Sequence, residues 1–229
     1  MEDHYKNPIL ITLPMPIETD RLILRPPVLG DGVALHEAVE ETWADLNRWM
    51  IWAQKKLTAD ECEANIRAAH ADFILRKDMR IHGFEKDTGR LVVSSGVHRF
   101  DWAIRRFEIG YWVRQSAQGK GYATECGAAL TRYAFEVMGA RHVTIEHADG
   151  NDASRRVIEK LGFVKEGVLK GKLPDHVNGG VYDSHVYSVS NAGHLHSVNA
   201  QWGHHDDWQN WPKISDNSDH KDREARRCP

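Results

Sequence analysis

Cysteine is scarce. Cys62, Cys126 and Cys228 are the only three in 229 residues, and no two of them stand in a CxxC spacing. This excludes a disulfide framework and a zinc knuckle and suits a reducing cytosol. Long apolar runs are missing too, and Met1 to Pro16 carries acids and prolines where a leader would carry basic residues and then an apolar stretch. Neither a transmembrane span nor a secretory leader is expected. There is no excess of one charge sign: the formal net charge is −3, with acids and bases spread along the chain, so neither nucleic acid nor an anionic membrane is an expected partner. The 14 histidines, among them His194, His196, His204 and His205, show no ligand spacing of a known site, and no metal is expected.

Composition divides what is present. Residues 1–16 read as an N-terminal extension and residues 17–190 carry periodic apolar positions. Residues 191–229 are rich in His, Asp, Asn and Ser with almost no aliphatic side chains. Such a segment cannot build a core and is expected to be a disordered polar tail, with Trp202, Trp208 and Trp211 as its only means of docking.

Within 17–190, Arg21 to Arg25 alternates as a strand and ends at Pro26-Pro27. Asp31 is placed to cap a helix whose apolar face would carry Val33, Ala34, Ala38 and Val39. Thr58 with Glu61 forms a capping-box pattern for a second helix with a stripe of Ile66, Ala69, Phe73 and Ile74. Ile81–Lys86 and Leu91–Val97, joined through Asp87-Thr88-Gly89, predict a hairpin. Strands are expected at Arg106–Val113, Val143–Glu146 and Val181–Val189. Helices are expected at Thr124–Met138, before Gly139, and at Ala153–Leu161, before Gly162. This order argues for an α/β (α+β) domain: a mixed sheet with helices on both faces.

The stretch that carries chemistry is Gln118-Gly119-Lys120-Gly121-Tyr122-Ala123, a glycine-bearing loop between a strand and a helix. Glycines let a backbone approach a ligand closely, and a helix start aims unpaired N–H groups and a positive dipole end at an anion. A nucleotide P-loop would need its lysine after the second glycine, and a dinucleotide fingerprint would need glycine or alanine where Thr124 stands, so both fit poorly. A plain tight turn would use the glycines for geometry alone.

These residues resemble the loop [QR]-x-x-G-x-[GA] of the GNAT superfamily of acyl-CoA-dependent N-acyltransferases. Thr19-Asp-Arg-Leu-Ile-Leu-Arg25, Asn151-Asp-Ala-Ser154 and Glu159-Lys-Leu-Gly-Phe163 are similar to elements of its RimJ/RimL-type branch, which acetylates ribosomal-protein N-termini. The resemblance covers residues 17–190 and implies a GNAT-like, mostly antiparallel central sheet. It also implies transfer of acetyl from acetyl-CoA to a primary amine by direct attack. The acceptor would be a protein N-terminus, with a small amine (polyamine, drug or amino acid derivative) or a non-catalytic acyl-CoA-binding module as the alternatives. Tyr111, Trp112 and Val113 would lie along the pantetheine, Gly119 to Thr124 would hold the pyrophosphate, and Gln118 and Asn151 would belong to the same cofactor-binding set.

An amine must lose a proton before it attacks, and the departing thiolate must gain one. Many relatives place a tyrosine acid where this chain has Ile158, which leaves Ser154 as the acid, although a serine at a helix start also serves as a cap. Glu146, Asp175 and Glu108 compete for the base, and each can equally be an ion-paired surface residue. The aromatic stretch with Trp43, Trp49 and Trp52 would form an acceptor-site wall, or else core, with Trp49 and Trp52 on one helical face.

Overall fold

The computed structural model describes residues 5–193 and 195–203. Its elements run β1 (Ile17–Thr19), β2 (Leu22–Arg25), α1 (Gly32–Trp49), α2 (Ala59–Ile74), β3 (Met79–Glu85), β4 (Leu91–Asp101), β5 (Arg106–Val113), α3 (Tyr122–Glu136), β6 (His142–Ala148), α4 (Asp152–Leu161), β7 (Val164–Pro174), β8 (Val181–Val189) and β9 (Ala200–Trp202). The nine strands form one sheet in the order β7-β8-β6-β5-β4-β3-β2-β1-β9. Every pairing is antiparallel except β5 with β6.

The main core lies under α3 and α4, with Phe107, Ile109, Leu130, Tyr133, Ile145 and Ile158 buried together. Smaller clusters around Leu35, Val39, Leu46 and Ile66, and around Ala38, Phe84 and Leu91, fill the space under α1 and α2. The expected α/β architecture with helices on both faces is what the chain forms.

Local chemistry explains the element ends. Thr58 and Glu61 make the anticipated capping box, Thr58 Oγ1 accepting from Glu61 N at 3.2 Å and Glu61 Oε2 accepting from Thr58 N at 2.9 Å. Gly162 ends α4 in the left-handed region, at φ 90°. Asp31 differs from expectation: it stands at the start of α1, but its carboxylate caps nothing there. Instead it holds the fully buried Arg25 guanidinium in a two-pronged pair at 2.6 and 2.9 Å and accepts from Val28 N. A guanidinium taken out of water needs that partner more than the helix needs a cap. Val33 and Ile74, expected on apolar stripes, are exposed, because α1 and α2 bury only the faces that meet each other and the sheet.

The tail expectation is revised over its first part. Ala200–Trp202 pairs antiparallel with β1, Trp202 stacks edge-on against Tyr133 at 5.5 Å, and Arg132 lies over the same indole at 4.8 Å. Trp208, Trp211, His194, His204, His205 and Cys228 lie outside the described residues. Ending the chain at Ser190 removes β9 and uncovers Tyr133. We expect Trp202→Ala to cost about 2 kcal/mol, or roughly 4–8 °C in Tm for a domain of this size. Differential scanning calorimetry checks it, and an unchanged Tm would show that β9 adds no stability.

Candidate active site

The site begins where two strands part. β4 and β5 stay paired as far as Val93 opposite Val113, whereas the parallel pairing of β5 with β6 stops at Glu108 opposite Thr144. Arg114 N donates to Val92 O, and alternate residues of an antiparallel strand share an edge. Ile109, Tyr111 and Val113 therefore turn their backbone groups into the gap, while the backbone of Trp112 serves β4. A cleft of about 780 Å³ occupies this gap, reaching from Trp49 and Met50 past Gly110 and Val113 to Gly121 and Ser154.

At one end of the cleft lies the glycine loop. Gly119 and Gly121 have φ of 72° and 85°, a region that side-chain-bearing residues rarely adopt, and Gly121 stands at the start of α3. The backbone N–H groups of Gly119, Lys120, Gly121, Tyr122, Ala123 and Thr124 meet no acceptor among the described residues; the first helical bond of α3 is Glu125 N to Gly121 O. A run of free amides at a helix start is an anion cradle. The residues expected to hold a pyrophosphate are thus present in a form that fits one.

Neighbouring elements fix the loop. Arg21 donates to Glu125 Oε2 (2.7 Å) and to Lys120 O (2.9 Å) and lies over the Tyr122 ring, while Thr19 Oγ1 donates to Glu125 Oε1 at 2.6 Å. The Tyr122 hydroxyl donates to Glu85, which pushes the phenol up to about 12. From α1, Glu41 accepts from Arg114 Nε (2.6 Å) and Ser116 N (2.7 Å), and Thr42 Oγ1 accepts from Gln115 N. Burial opposes ionisation of Glu41, but these donors overcome it and hold its carboxyl at about 2. Gln118 Nε2 donates to Asp45 Oδ2 and Val113 O.

At the start of α4, Asn151 Oδ1 accepts from Ser154 N at 3.1 Å, so asparagine fills the capping place and the serine hydroxyl is free for other use. Ser154 Oγ lies 3.1 Å from the hydroxyl of Tyr111, whose ionisation burial pushes up to about 12. Tyr111 is therefore neutral at physiological pH, and its hydroxyl, which also donates to Ser154 O at 3.2 Å, either gives a hydrogen bond to Ser154 Oγ or accepts one from it. Ile158 is fully buried in the core and offers no chemistry.

The three carboxylates separate. Glu108 lines the cleft with both oxygens gripped by Arg99 Nη1, 2.6 Å from Oε1; Arg99 sits at the register slip of β4 with φ 50°, which turns it toward β5. Glu146 also lines the cleft. Burial would raise its pKa, but Lys172 Nζ at 2.6 Å from each oxygen and Ser184 Oγ at 2.7 Å hold it below the usual range. Asp175 is not among the cleft-lining residues; it accepts from Asn178 and Val177 of its own loop, the Asn178 amide holding it low.

The tryptophans separate as well. Trp49, the last residue of α1, lines the cleft against Tyr182 at 5.8 Å. Trp43 packs on the Leu35 cluster away from the cleft, and Trp52 lies beyond the helix, about half exposed, so it shares no helical face with Trp49. Sequence reasoning passed over Arg156 and Lys160, which line the cleft from α4. Their i, i+4 spacing on the face of α4 beside Ser154 was the available signal.

Among the described residues no three His, Cys, Asp or Glu side chains come together as a metal site, and no helix is long and apolar enough to cross a membrane. A model of the acetyltransferase (GNAT) domain matches residues 21–164. The chain is 32% identical over 166 residues to "Putative ribosomal N-acetyltransferase YdaF" of Bacillus subtilis (strain 168), covering 69% of this chain and 85% of that one. It is 29% identical over 173 residues to the uncharacterized N-acetyltransferase YoaA of the same organism, covering 76% and 95%. Two solved structures share the fold. Mycobacterium smegmatis RimJ in complex with CoA-disulfide has a TM-score of 0.71 at 22% identity, covering 82% of this chain and 97% of that one. RimL, a ribosomal L7/L12 alpha-N-protein acetyltransferase in complex with coenzyme A, has 0.70 at 21%, covering 76% and 96%. The domain match and the YdaF relative establish that this chain belongs to the GNAT acetyltransferase family.

Proposed function

We propose that this acetyltransferase takes acetyl from acetyl-CoA and delivers it to the α-amino group of a protein N-terminus, in a reducing cytosolic compartment. One observation carries the donor assignment: the unpaired amides of Gly119 to Thr124 continue into the free edge of β5. The amides would take the pyrophosphate, and the edge at Tyr111 and Val113 would pair with the amides of pantetheine as an added strand does. Arg156 and Lys160 supply positive charge to the nucleotide end.

Nothing in the site calls for a covalent enzyme intermediate: Cys126 is fully buried with its thiol pushed up to about 12, and it does not line the cleft. The acetyl group therefore passes directly to the amine. A backbone N–H near Val113 polarises the thioester carbonyl, and Ser154, backed by Tyr111, protonates the thiolate. The acceptor assignment draws on YdaF and on RimL as they are named, and on the end of the cleft at Trp49 and Met50, away from the glycine loop, which the donor loop leaves to a second substrate.

The test is thiol release from acetyl-CoA against Ser-, Ala- and Asp-initiated peptides and, in parallel, spermidine, tyramine and free amino acids. Peptides are expected to give kcat/KM at least about tenfold above any small amine, the ratio that separates specific recognition from mere reactivity. Preference for a small amine would overturn the acceptor assignment and keep the donor.

A further inference from the structure

Resting on that function, we propose that His98, oriented by Asp78, is the general base for the acceptor amine, and that the cavity between the α1–α2 layer and β3–β5 seats the amine-bearing residue.

The cavity measures about 500 Å³ and shares Met50, Gly110, Tyr111 and Trp112 with the donor cleft, so the two spaces meet over β5. His98 lies at that junction because two glycines leave room for its ring. A Cβ on Gly96 would stand 2.6 Å from His98 Cε1 and 2.7 Å from Nε2, and a Cβ on Gly110 would stand 3.5 Å from Cδ2. Asp78 Oδ1 lies 2.7 Å from His98 Nδ1, which fixes the proton on that nitrogen and leaves the Nε2 lone pair to accept another. Nε2 has no hydrogen-bond partner among the described residues. By contrast, the cleft carboxylates are engaged: Glu108 by Arg99, Glu146 by Lys172, and Asp45, beside the glycine loop, by Gln118 Nε2.

The cavity's other polar groups define what it takes. Both ring nitrogens of His82 are buried without a partner among the described residues, and burial lowers its pKa to about 3, so the ring is neutral. Arg80 lines the same space, and its guanidinium has no ion pair or hydrogen bond among the described residues. Groups facing His98 from β3 and the residue before it are Asp78, Arg80 and His82; from β5 comes Glu108, its register partner; the lining residues from the α1–α2 side, Leu35, Val39 and Asn65 among them, are uncharged. Among the described residues no carboxylate lines the cavity, and the two beside His98 are engaged, Asp78 by His98 itself and Glu108 by Arg99, so none is left to receive a second ammonium group. The matching acceptor is an α-amine flanked by amide carbonyls, a hydroxyl or a carboxylate, as at the first residue of a peptide, and not a polyamine.

The step balances as follows. The ammonium form gives one proton to His98 Nε2, which passes it to solvent. The amine lone pair forms the new C–N bond and the C–S bond breaks; Ser154 Oγ delivers its proton to the thiolate, and the second proton from nitrogen restores the serine hydroxyl. The products are the N-acetyl amine, coenzyme A thiol and one released proton.

The test is the kcat/KM–pH profile of the full-length protein with whichever amine of the peptide and small-amine panel it acetylates best. His98→Gln should lower kcat/KM at least about tenfold at pH 7 and recover toward the amine's own pKa, where the acceptor deprotonates unaided. Asp78→Asn should give a smaller loss and move the acid limb of the profile, a change that a purely structural contact would not produce. Calorimetry should show acetyl-CoA affinity within about threefold of wild type for both variants, since the donor loop is untouched. An acid limb that survives His98→Gln and disappears in Glu146→Gln or Glu108→Gln assigns the proton to that carboxylate and overturns the proposal. Turnover confined to spermidine overturns the peptide acceptor and the cavity's substrate class, while the His98 profile still reports on the base. A wild type that binds acetyl-CoA and acetylates nothing overturns both.

Discussion

Gly121→Val is expected to raise the Kd for acetyl-CoA at least about 100-fold, the loss of a whole pyrophosphate cradle, while the protein still melts cooperatively. At φ 85° a β-branched residue is strained by roughly 1–2 kcal/mol, so the loop must leave its present path. Leaving it turns the amides of Lys120 to Thr124 away from a common centre. The space beside Gly121 is open, its would-be Cβ coming no nearer than 3.5 Å to Arg21 Nη2, so the fold itself meets no clash. A drop in Tm of only a few degrees follows, since roughly 1–2 kcal/mol is spread over a domain of this size. Titration calorimetry with acetyl-CoA and a thermal melt settle both halves. Wild-type affinity in the folded variant would remove the loop from the donor site.

Ser154→Ala is expected to lower kcat by about 10 to 1,000-fold with the Kd for acetyl-CoA changed less than about threefold, the mark of an interaction made only as the thiolate departs. The helix should not suffer, because Asn151 and not Ser154 occupies the capping place of α4. Tyr111→Phe removes the neutral hydroxyl 3.1 Å from Ser154 Oγ and should cost about three- to tenfold in kcat, roughly one uncharged hydrogen bond. Combining the two changes should cost little more than Ser154→Ala alone if the tyrosine acts through the serine. Stopped-flow thiol detection provides the rates. Losses that multiply would assign Tyr111 an independent role along the pantetheine.

Much of this was legible from the chain before its coordinates. β5 and β8 have the bounds that alternation gave, the capping box of α2 formed, and the glycine loop lies between a strand and a helix as its composition required. What escaped was set by distant partners. β7 was missed because it pairs only with β8 and lies largely exposed, so no apolar alternation marks it. Asp31 has the composition of a cap, but the need of the buried Arg25 took precedence. The role of Thr19 and Arg21 in clamping Glu125 spans more than a hundred residues and leaves no local signal. Trp202 gave no hint of its place because a three-residue strand is too short to carry a period. His98 was invisible for the same kind of reason: its setting depends on Gly96, Gly110 and Asp78 meeting in space.

The order of the strands also decides where this protein can safely leave backbone unpaired. A sheet's outer rims invite other chains to add on, the first step toward aggregation. Here the rims are β9, only three residues long, and β7, which carries Lys165, Glu166, Lys170 and Lys172 and is broken by register shifts against β8. Charge and irregularity make β7 a poor template, and brevity does the same for β9. The hospitable edge is the one on β5, enclosed between Trp49, Ser154 and the glycine loop in mid-sheet. A folded neighbour cannot bring a strand to it, whereas a slender, amide-bearing ligand can. The parting of β5 from β6 thus works as a filter on shape: the hydrogen-bonding capacity that would promote self-association at a rim is reserved for a guest thin enough to enter.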